Sequence, residues 1–321
     1  MKTRLPGDSG LELSAIGLGC MGMSWVYAES ERDDVESVKV IQRALDLGVT
    51  FIDTADLYGP FTNEELVGRA LAGRRDEVVL ATKCGLVPDM TLYPTKVKVT
   101  PNGRPEHIRA AIDGSLRRLG TDRVDLFQLH RIDPEVPIEE SWGAMAELVA
   151  AGKARHIGLS EAGVEHLERA STIHPVATLQ SELSLWSRDP LADTLPWCLA
   201  NGVGFLPFSP LGRGFLTGTI RSAEQLPASD FRSQQPRFAP AALERNLRIV
   251  DGVEKVAQRH DATPAQVAIA WVLAQGPHVV PIPGSTRLAH LEDNVGAVDL
   301  ELSDADLTEL DALPAPVGTR F

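Results

Sequence analysis

A chain of 321 residues, 43% of them apolar, can bury a large core and has the length of one α/β barrel with insertions. Its formal net charge of −13 argues against a nucleic-acid or anionic-membrane partner, since either would need a basic face. Three scattered cysteines without metal-ligand spacing, a polar start unlike a signal peptide, and no apolar run near the ~20 residues that span a bilayer point to a cytoplasmic, metal-free protein.

In chain order, residues 3–14 read as a hairpin with its turn at 7–10, placed to plug the bottom of a barrel. Residues 15–19 (AIGLG) supply a first strand. A helix over 33–47 follows, with Val38, Ile41, Ala44 and Leu45 on one face and Gly48 as its stop. Residues 49–53 (VTFID) form the second strand. Thr62 with Glu65 has capping-box spacing and opens a helix through Leu71. The third strand is 77–83 (EVVLATK), and 87–104 is a long polar loop after it. Pro105 suits a first helical turn, and Ile108, Ile112, Leu116 and Leu119 follow at helical spacing before Gly120. Strands at 124–130 (VDLFQLH), 154–160 (ARHIGLS), 177–180 and 204–209 (GFLPFS) continue the series. Residues 211–240, rich in Gly, Arg, Ser and Pro, form a larger insertion. A second capping box, Thr263 with Gln266, leads a helix to Ala274 and Gly276, and 279–283 (VVPIP) is the eighth strand.

Continuous apolar runs suit parallel strands buried on both faces. Eight such strands alternating with helices, with no composition break, predict one domain over residues 1–321. That domain is an α/β fold, a (β/α)8 TIM barrel with an N-terminal β-hairpin and long loops at its C-terminal face. Loops of this length in a compact domain are usually functional or disordered, and both of these sit on the face where a barrel keeps its active site.

Parallel strands in a barrel bring their C-terminal ends to one rim. Asp53 ends the second strand, Tyr58 follows in the next loop, Lys83 ends the third and His130 the fourth. A lysine ammonium favours tyrosinate and eases proton donation, an aspartate holds the lysine, and a histidine can donate to a carbonyl oxygen. A carbonyl that receives a proton also needs a hydride, hence a nicotinamide cofactor. Singly, these residues also read as a structural ion pair, a loop anchor and a rim histidine; their meeting at successive strand ends favours chemistry.

Gly17, Gly19 and Gly22 spell G-x-G-x-x-G, the fingerprint of a dinucleotide-binding βαβ unit. Against that reading, residues 23–32 (with Ser24, Glu29 and Ser30) separate the glycines from the next helix, and Asp53 lies 31 residues past Gly22 instead of about 20.

The segments GVTFIDTADLYG, LATKCG, DLFQLHRID, HIGLSE, LQSELSLW, PFSPLGRGFLTG and IPGSTRLAHLEDN together resemble the aldo-keto reductase superfamily, from about residue 11 to about 313 and in family order. The central motifs and tail look most like its bacterial and plant-type reductases. The resemblance implies Asp53, Tyr58, Lys83 and His130 as catalytic residues, with Tyr58 the general acid. It implies Ser160 and Gln180 on the nicotinamide carboxamide and Trp186 stacked on the ring. Ser209, Leu211, Gly212 and Arg213 match the loop that straps the pyrophosphate. Gly284, Ser285, Thr286 and Arg287 match the 2′-phosphate pocket, and Asn294 an adenine contact. Glu161 stands where relatives commonly have asparagine, and His290 where many have arginine, which directs attention to Arg287. No acid occupies 284–290, so NADPH is the expected cofactor. The expected partner is a small carbonyl substrate, with arylaldehydes, methylglyoxal-like dicarbonyls and pyridoxal all open. The alternative is a cofactor-binding regulatory member of the same fold with low turnover.

Overall fold

The computed structural model describes residues 1–27, 32–92 and 98–320. Glu29 and Ser30, and residues 93–97 of the expected third loop, lie outside the described residues. The N-terminal hairpin is present: β1 (Thr3–Arg4) pairs antiparallel with β2 (Leu13–Ser14). Leu11 and Leu13 pack into one cluster with Phe51, Ala81, Leu126, Leu206, Val280 and Ile282, which closes the barrel interior from below.

The barrel strands are β3 (Leu18–Gly19), β4 (Phe51–Asp53), β5 (Val79–Cys84), β8 (Val124–Leu129), β9 (Ala154–Ser160), β10 (Thr178–Glu182) and β11 (Gly204–Phe208). They pair in parallel in the order β11-β10-β9-β8-β5-β4-β3. The eighth position is held by residues 279–284. On one side Val280 N and Ile282 N donate to Phe205 O and Pro207 O, both at 2.9 Å. On the other, Gly17 N and Gly19 N donate to Pro281 O and Pro283 O at 2.9 and 3.1 Å. This segment closes the barrel through single bridges and not as a regular strand, because Pro281 and Pro283 have no N–H to return to β3.

Strand alternation sorts side chains between the interior and the helical layer. Phe51, Ala81 and Leu126 face the interior cluster, whereas Ile52, Leu80 and Phe127 belong to the large cluster under the helices. Two residues further on, the interior positions become Asp53, Lys83 and Gln128. The parity that fills the lower barrel with apolar side chains thus stacks the polar ones above it.

The helices begin and end on local chemistry. Asp33 caps α1 (Asp34–Asp46), its carboxylate accepting from Val35 N and Glu36 N at 2.8 and 3.1 Å. In α3 (Pro105–Leu119) the proline occupies the first turn and Gly120 caps the end with φ 66°. Thr263 and Gln266 form the expected capping box of α8 (Pro264–Leu273). The box expected at Thr62 does not form. Phe61, at φ 71°, is the N-cap of α2 (Thr62–Ala70), and Thr62 Oγ1 donates instead to Gly59 O at 2.7 Å. The hydroxyl is spent on the tight turn after Tyr58, which leaves it no reach to the helix N–H groups.

The segment 87–104, expected as an irregular loop, contains a short hairpin of β6 (Leu86–Pro88) and β7 (Val99–Pro101). The insertion at 211–240 is a series of 3-10 turns, Gly212–Thr217, Ala223–Gln225, Phe231–Gln234 and Pro236–Phe238, that ends where α7 (Pro240–Arg259) begins. The glycine motif is not a dinucleotide turn. After Gly19 the chain makes only a 3-10 turn, Met21–Met23, and α1 starts at Asp34. Gly17 is required by packing: a Cβ there would lie 2.5 Å from the Phe51 ring and 2.9 Å from Ile282 Cγ2. Of the described residues, no helix is long and apolar enough to cross a membrane.

Candidate active site

Asp53, Lys83 and Gln128 reach the rim from β4, β5 and β8 on the interior parity, and His130 follows one residue beyond β8. Tyr58 is brought to them by the loop after β4. That loop is pinned at both ends: Asp56 N donates to Lys83 O (3.1 Å) and Asn63 N, in the first turn of α2, to Tyr58 O (3.2 Å). Asn63 Nδ2 also ties the loop to Cys20 O and Ser24 Oγ, each at 2.9 Å.

Lys83 is fully buried, and Nζ donates to Asp53 Oδ1 at 2.5 Å, Thr54 O at 2.8 Å and Tyr58 Oη at 3.3 Å. Its three N–H groups are therefore all directed. Asp53 Oδ2 accepts from Gln180 Nε2 at 2.9 Å and Gln128 Nε2 at 3.3 Å. With both carboxylate oxygens engaged, the ion pair is fixed in place. The Tyr58 and His130 rings meet edge to face, 5.8 Å between centroids at 84°.

Burial alone would lower the Lys83 pKa, but Asp53 and Tyr58 hold it above its ordinary value. For Tyr58 the balance falls the other way from the sequence-based expectation: burial raises its hydroxyl pKa by more than the Lys83 ammonium lowers it. The hydroxyl therefore stays protonated at neutral pH. Because Tyr58 Oη accepts from Lys83, its own hydrogen is left to point elsewhere. Burial, then the Lys83 and Arg131 charges, keep the His130 imidazole neutral, well below the ordinary histidine pKa. Its Nδ1 is buried without a hydrogen-bond partner among the described residues. A protonated phenol and a neutral imidazole side by side can both donate to one carbonyl oxygen.

Around this centre lie the residues expected to hold the cofactor. Ser160, at the end of β9, accepts from Arg131 Nη1 at 3.1 Å, and Gln180 is engaged on Asp53 as described. Trp186 is buried, stacked on Phe215 at 4.2 Å between centroids, with Phe238 at its edge and an orphaned Nε1. Ser209, Leu211, Gly212 and Arg213 form the turn that leans on it. Gly212 has φ 57°, and a Cβ would lie 2.9 Å from Trp186 Cε3. Arg213 Nη2 donates to Glu182 Oε2 at 3.1 Å and its Nη1 to Gln235. Glu161, at φ 53°, is held by Arg320, which also lies 3.5 Å from Glu182.

Glu182 and Arg320 were not anticipated from sequence. Glu182 shares the interior parity of Gln180 on β10, a signal that was available; the folding of the tail onto it was not. Glu182, Trp186, Arg213, Gln235, Arg237, Phe238 and Arg320 close on one another with no room for a water molecule between them. Arg213, Arg237 and Arg320 thus pack directly against Glu182, Trp186 and Phe238.

The distal end is open. Ser285 is buried and accepts from Asn294 Nδ2 at 3.0 Å, while Gly284, Thr286 and Arg287 are exposed. Arg287 is the N-cap of α9 (Leu288–Gly296), so backbone N–H groups, hydroxyls and a guanidinium surround one helix N-terminus. The donor set fits a phosphorylated dinucleotide: a helix N-terminus and cation at one end, and unpartnered ring nitrogens of Trp186 and His130 at the other. Among the described residues no group of His, Cys, Asp and Glu side chains is placed to hold a metal ion.

A model of the aldo/keto reductase family matches residues 15–315. A probable aldo-keto reductase 1 from Glycine max is 42% identical over 314 residues, covering 96% of this chain and 88% of its own length. Among solved structures, a glycerol dehydrogenase from Gluconobacter oxydans superposes with a TM-score of 0.88 at 32% identity, covering 99% of this chain and 98% of that one. An aldo/keto reductase from Klebsiella pneumoniae in complex with NADP and acetate gives 0.76 at 29% identity, covering 99% and 97%.

Proposed function

Since the chain belongs to the aldo/keto reductase family, we propose that residues 1–321 act as one catalytic unit that reduces an aldehyde or ketone to an alcohol with NADPH, Tyr58 being the general acid. Family membership makes the chain an NAD(P)H-dependent oxidoreductase. The observation that carries the residue assignment is the direction of the Lys83 contacts. All three ammonium hydrogens point inward to Asp53, Thr54 and Tyr58, so the Tyr58 oxygen accepts from Lys83 and its proton is left for a substrate oxygen.

The chain's own residues do four things in this reading. His130, neutral, donates to the carbonyl oxygen and fixes its direction. Tyr58 transfers its proton to that oxygen as negative charge develops there. Lys83 stabilises the tyrosinate left behind, and Asp53, held by Gln128 and Gln180, stabilises Lys83. The bound nicotinamide supplies the hydride to the carbonyl carbon. Ser160 and Gln180 would orient its carboxamide, Trp186 its ring, and Ser209, Leu211, Gly212 and Arg213 its pyrophosphate. Gly284, Ser285, Thr286 and Arg287 would take the 2′-phosphate and Asn294 the adenine.

Steady NADPH consumption with simple aldehydes, at one alcohol formed per NADPH, is the expected result. Tight NADPH binding without turnover across an aldehyde and ketone panel would overturn it and leave a regulatory role. The cofactor preference has its own test. Arg287→Ala should weaken NADPH binding roughly tenfold, the low end for a charge-assisted hydrogen bond because the side chain is exposed. NADH affinity should hardly change; equal losses in a tryptophan-quenching titration would remove Arg287 from phosphate recognition.

A further inference from the structure

Arg131 follows His130 directly at the end of β8, and the contacts above use only one of its two terminal nitrogens. Nη1 donates to His130 O at 2.5 Å and to Ser160 Oγ at 3.1 Å. These bonds fold the half-buried guanidinium back over the strand ends, between the proposed carbonyl site and the proposed carboxamide site. Its charge acts on the Tyr58 hydroxyl and the His130 ring on one side, and on Glu161 and Glu182 on the other. Yet those two carboxylates are ion-paired elsewhere, Glu161 with Arg320 and Glu182 with Arg213. Among the described residues, Nη2 and Nε of Arg131 have no hydrogen-bond partner.

A guanidinium offers five N–H donors in a planar fork, and the Nε and Nη2 donors of Arg131, unbonded within the described residues and not sealed from solvent, are open to a ligand. Burial without a paired anion also disfavours the charge itself, and the Arg131 pKa is lowered accordingly. The Nε–Nη2 edge is the side of the fork that matches the two oxygens of a carboxylate. We infer that Arg131 is a specificity-determining residue whose free edge receives a carboxylate carried by the carbonyl substrate, so that formyl and oxo acids are preferred over their neutral counterparts. This rests on the reading of Tyr58 and His130 as the carbonyl site.

The test compares 3- and 4-carboxybenzaldehyde, each with its methyl ester, at saturating NADPH. In the unmodified enzyme kcat/KM should favour the acid of at least one pair. In Arg131→Gln the acid-to-ester ratio should fall about tenfold or more, and Arg131→Lys should recover part of it. A general loss of folding or activity cancels in the ratio. An unchanged ratio overturns the inference, as does an equal loss for acid and ester with a raised KM for NADPH, which would assign Arg131 to the cofactor. A second measurement does not depend on turnover. Calorimetry of 4-(hydroxymethyl)benzoate with the NADP⁺-loaded protein should show about tenfold weaker binding in Arg131→Gln. Equal affinities overturn the inference. Failure to reduce any of the four aldehydes, with binding still dependent on Arg131, contradicts the reductase reading and leaves the carboxylate site standing.

Discussion

At the residue scale the proposed mechanism rests on directed hydrogen bonds. Lys83 has no donor to spare and both Asp53 oxygens are engaged, so in the proposed mechanism the Tyr58 proton is left for a substrate oxygen. If these residues act as a unit, Lys83→Met should lower kcat nearly as far as loss of the Tyr58 hydroxyl, and the double variant should be little worse. The change leaves Asp53 buried and unpaired, at a cost of about 3–5 kcal/mol in stability. The measurement therefore includes a urea midpoint, and fully multiplicative losses in kcat would mean independent action. The pH profile follows from the same groups. Tyr58 must be protonated to donate, and burial holds its pKa above the ordinary value near 10. His130 must stay neutral, and its pKa lies well below the ordinary 6.5. kcat for reduction should be level from about pH 6 to about pH 9 and decline only above that; a decline centred near neutrality would place the acid elsewhere. Asp53, Lys83 and His130 were legible because strand ends converge. Gln128, two residues before His130, was missed although its interior parity is readable from the strand. Arg131 and Arg320 were not legible, since a long arginine's destination depends on which carboxylates the fold brings near it.

At the scale of elements, the errors of reading have local causes. Residues 279–284 take a strand's place without its full ladder because alternate prolines lack N–H groups. Thr62 has capping-box spacing, yet the turn at Gly59 claims its hydroxyl first. The polar residues of 87–104 conceal a hairpin because its strands are only three residues each, Leu86–Pro88 against Val99–Pro101, too short to show an alternating pattern. The glycine motif misleads most. Gly17 lacks a side chain to let β3 approach β4 and the closing segment, not to admit a phosphate. Gly17→Ala should destabilise the fold by about 1–3 kcal/mol through overpacking against Phe51 and Ile282. A lowered urea midpoint with an unchanged denaturant slope is the expected result; an unchanged midpoint would mean that the strands can separate at little cost.

At the scale of the whole molecule, barrel topology turns widely separated residues into neighbours and sets a local field against a global one. The chain carries a net charge of −13, yet Arg131, Arg213, Arg237 and Arg320 surround two carboxylates, Glu161 and Glu182, beside the proposed nicotinamide site. A net charge of −13 is therefore compatible with local recognition of an anionic dinucleotide. The central claim is that this barrel reduces carbonyls with the Tyr58 proton, and Tyr58→Phe tests it while preserving the ring and its packing. With NADPH and a reducible aldehyde, kcat should fall by about 10²–10⁴-fold while NADPH affinity, followed by tryptophan fluorescence, changes little. Retention of more than about half the activity would contradict the account, because acid catalysis by Tyr58 could then supply less than a twofold effect.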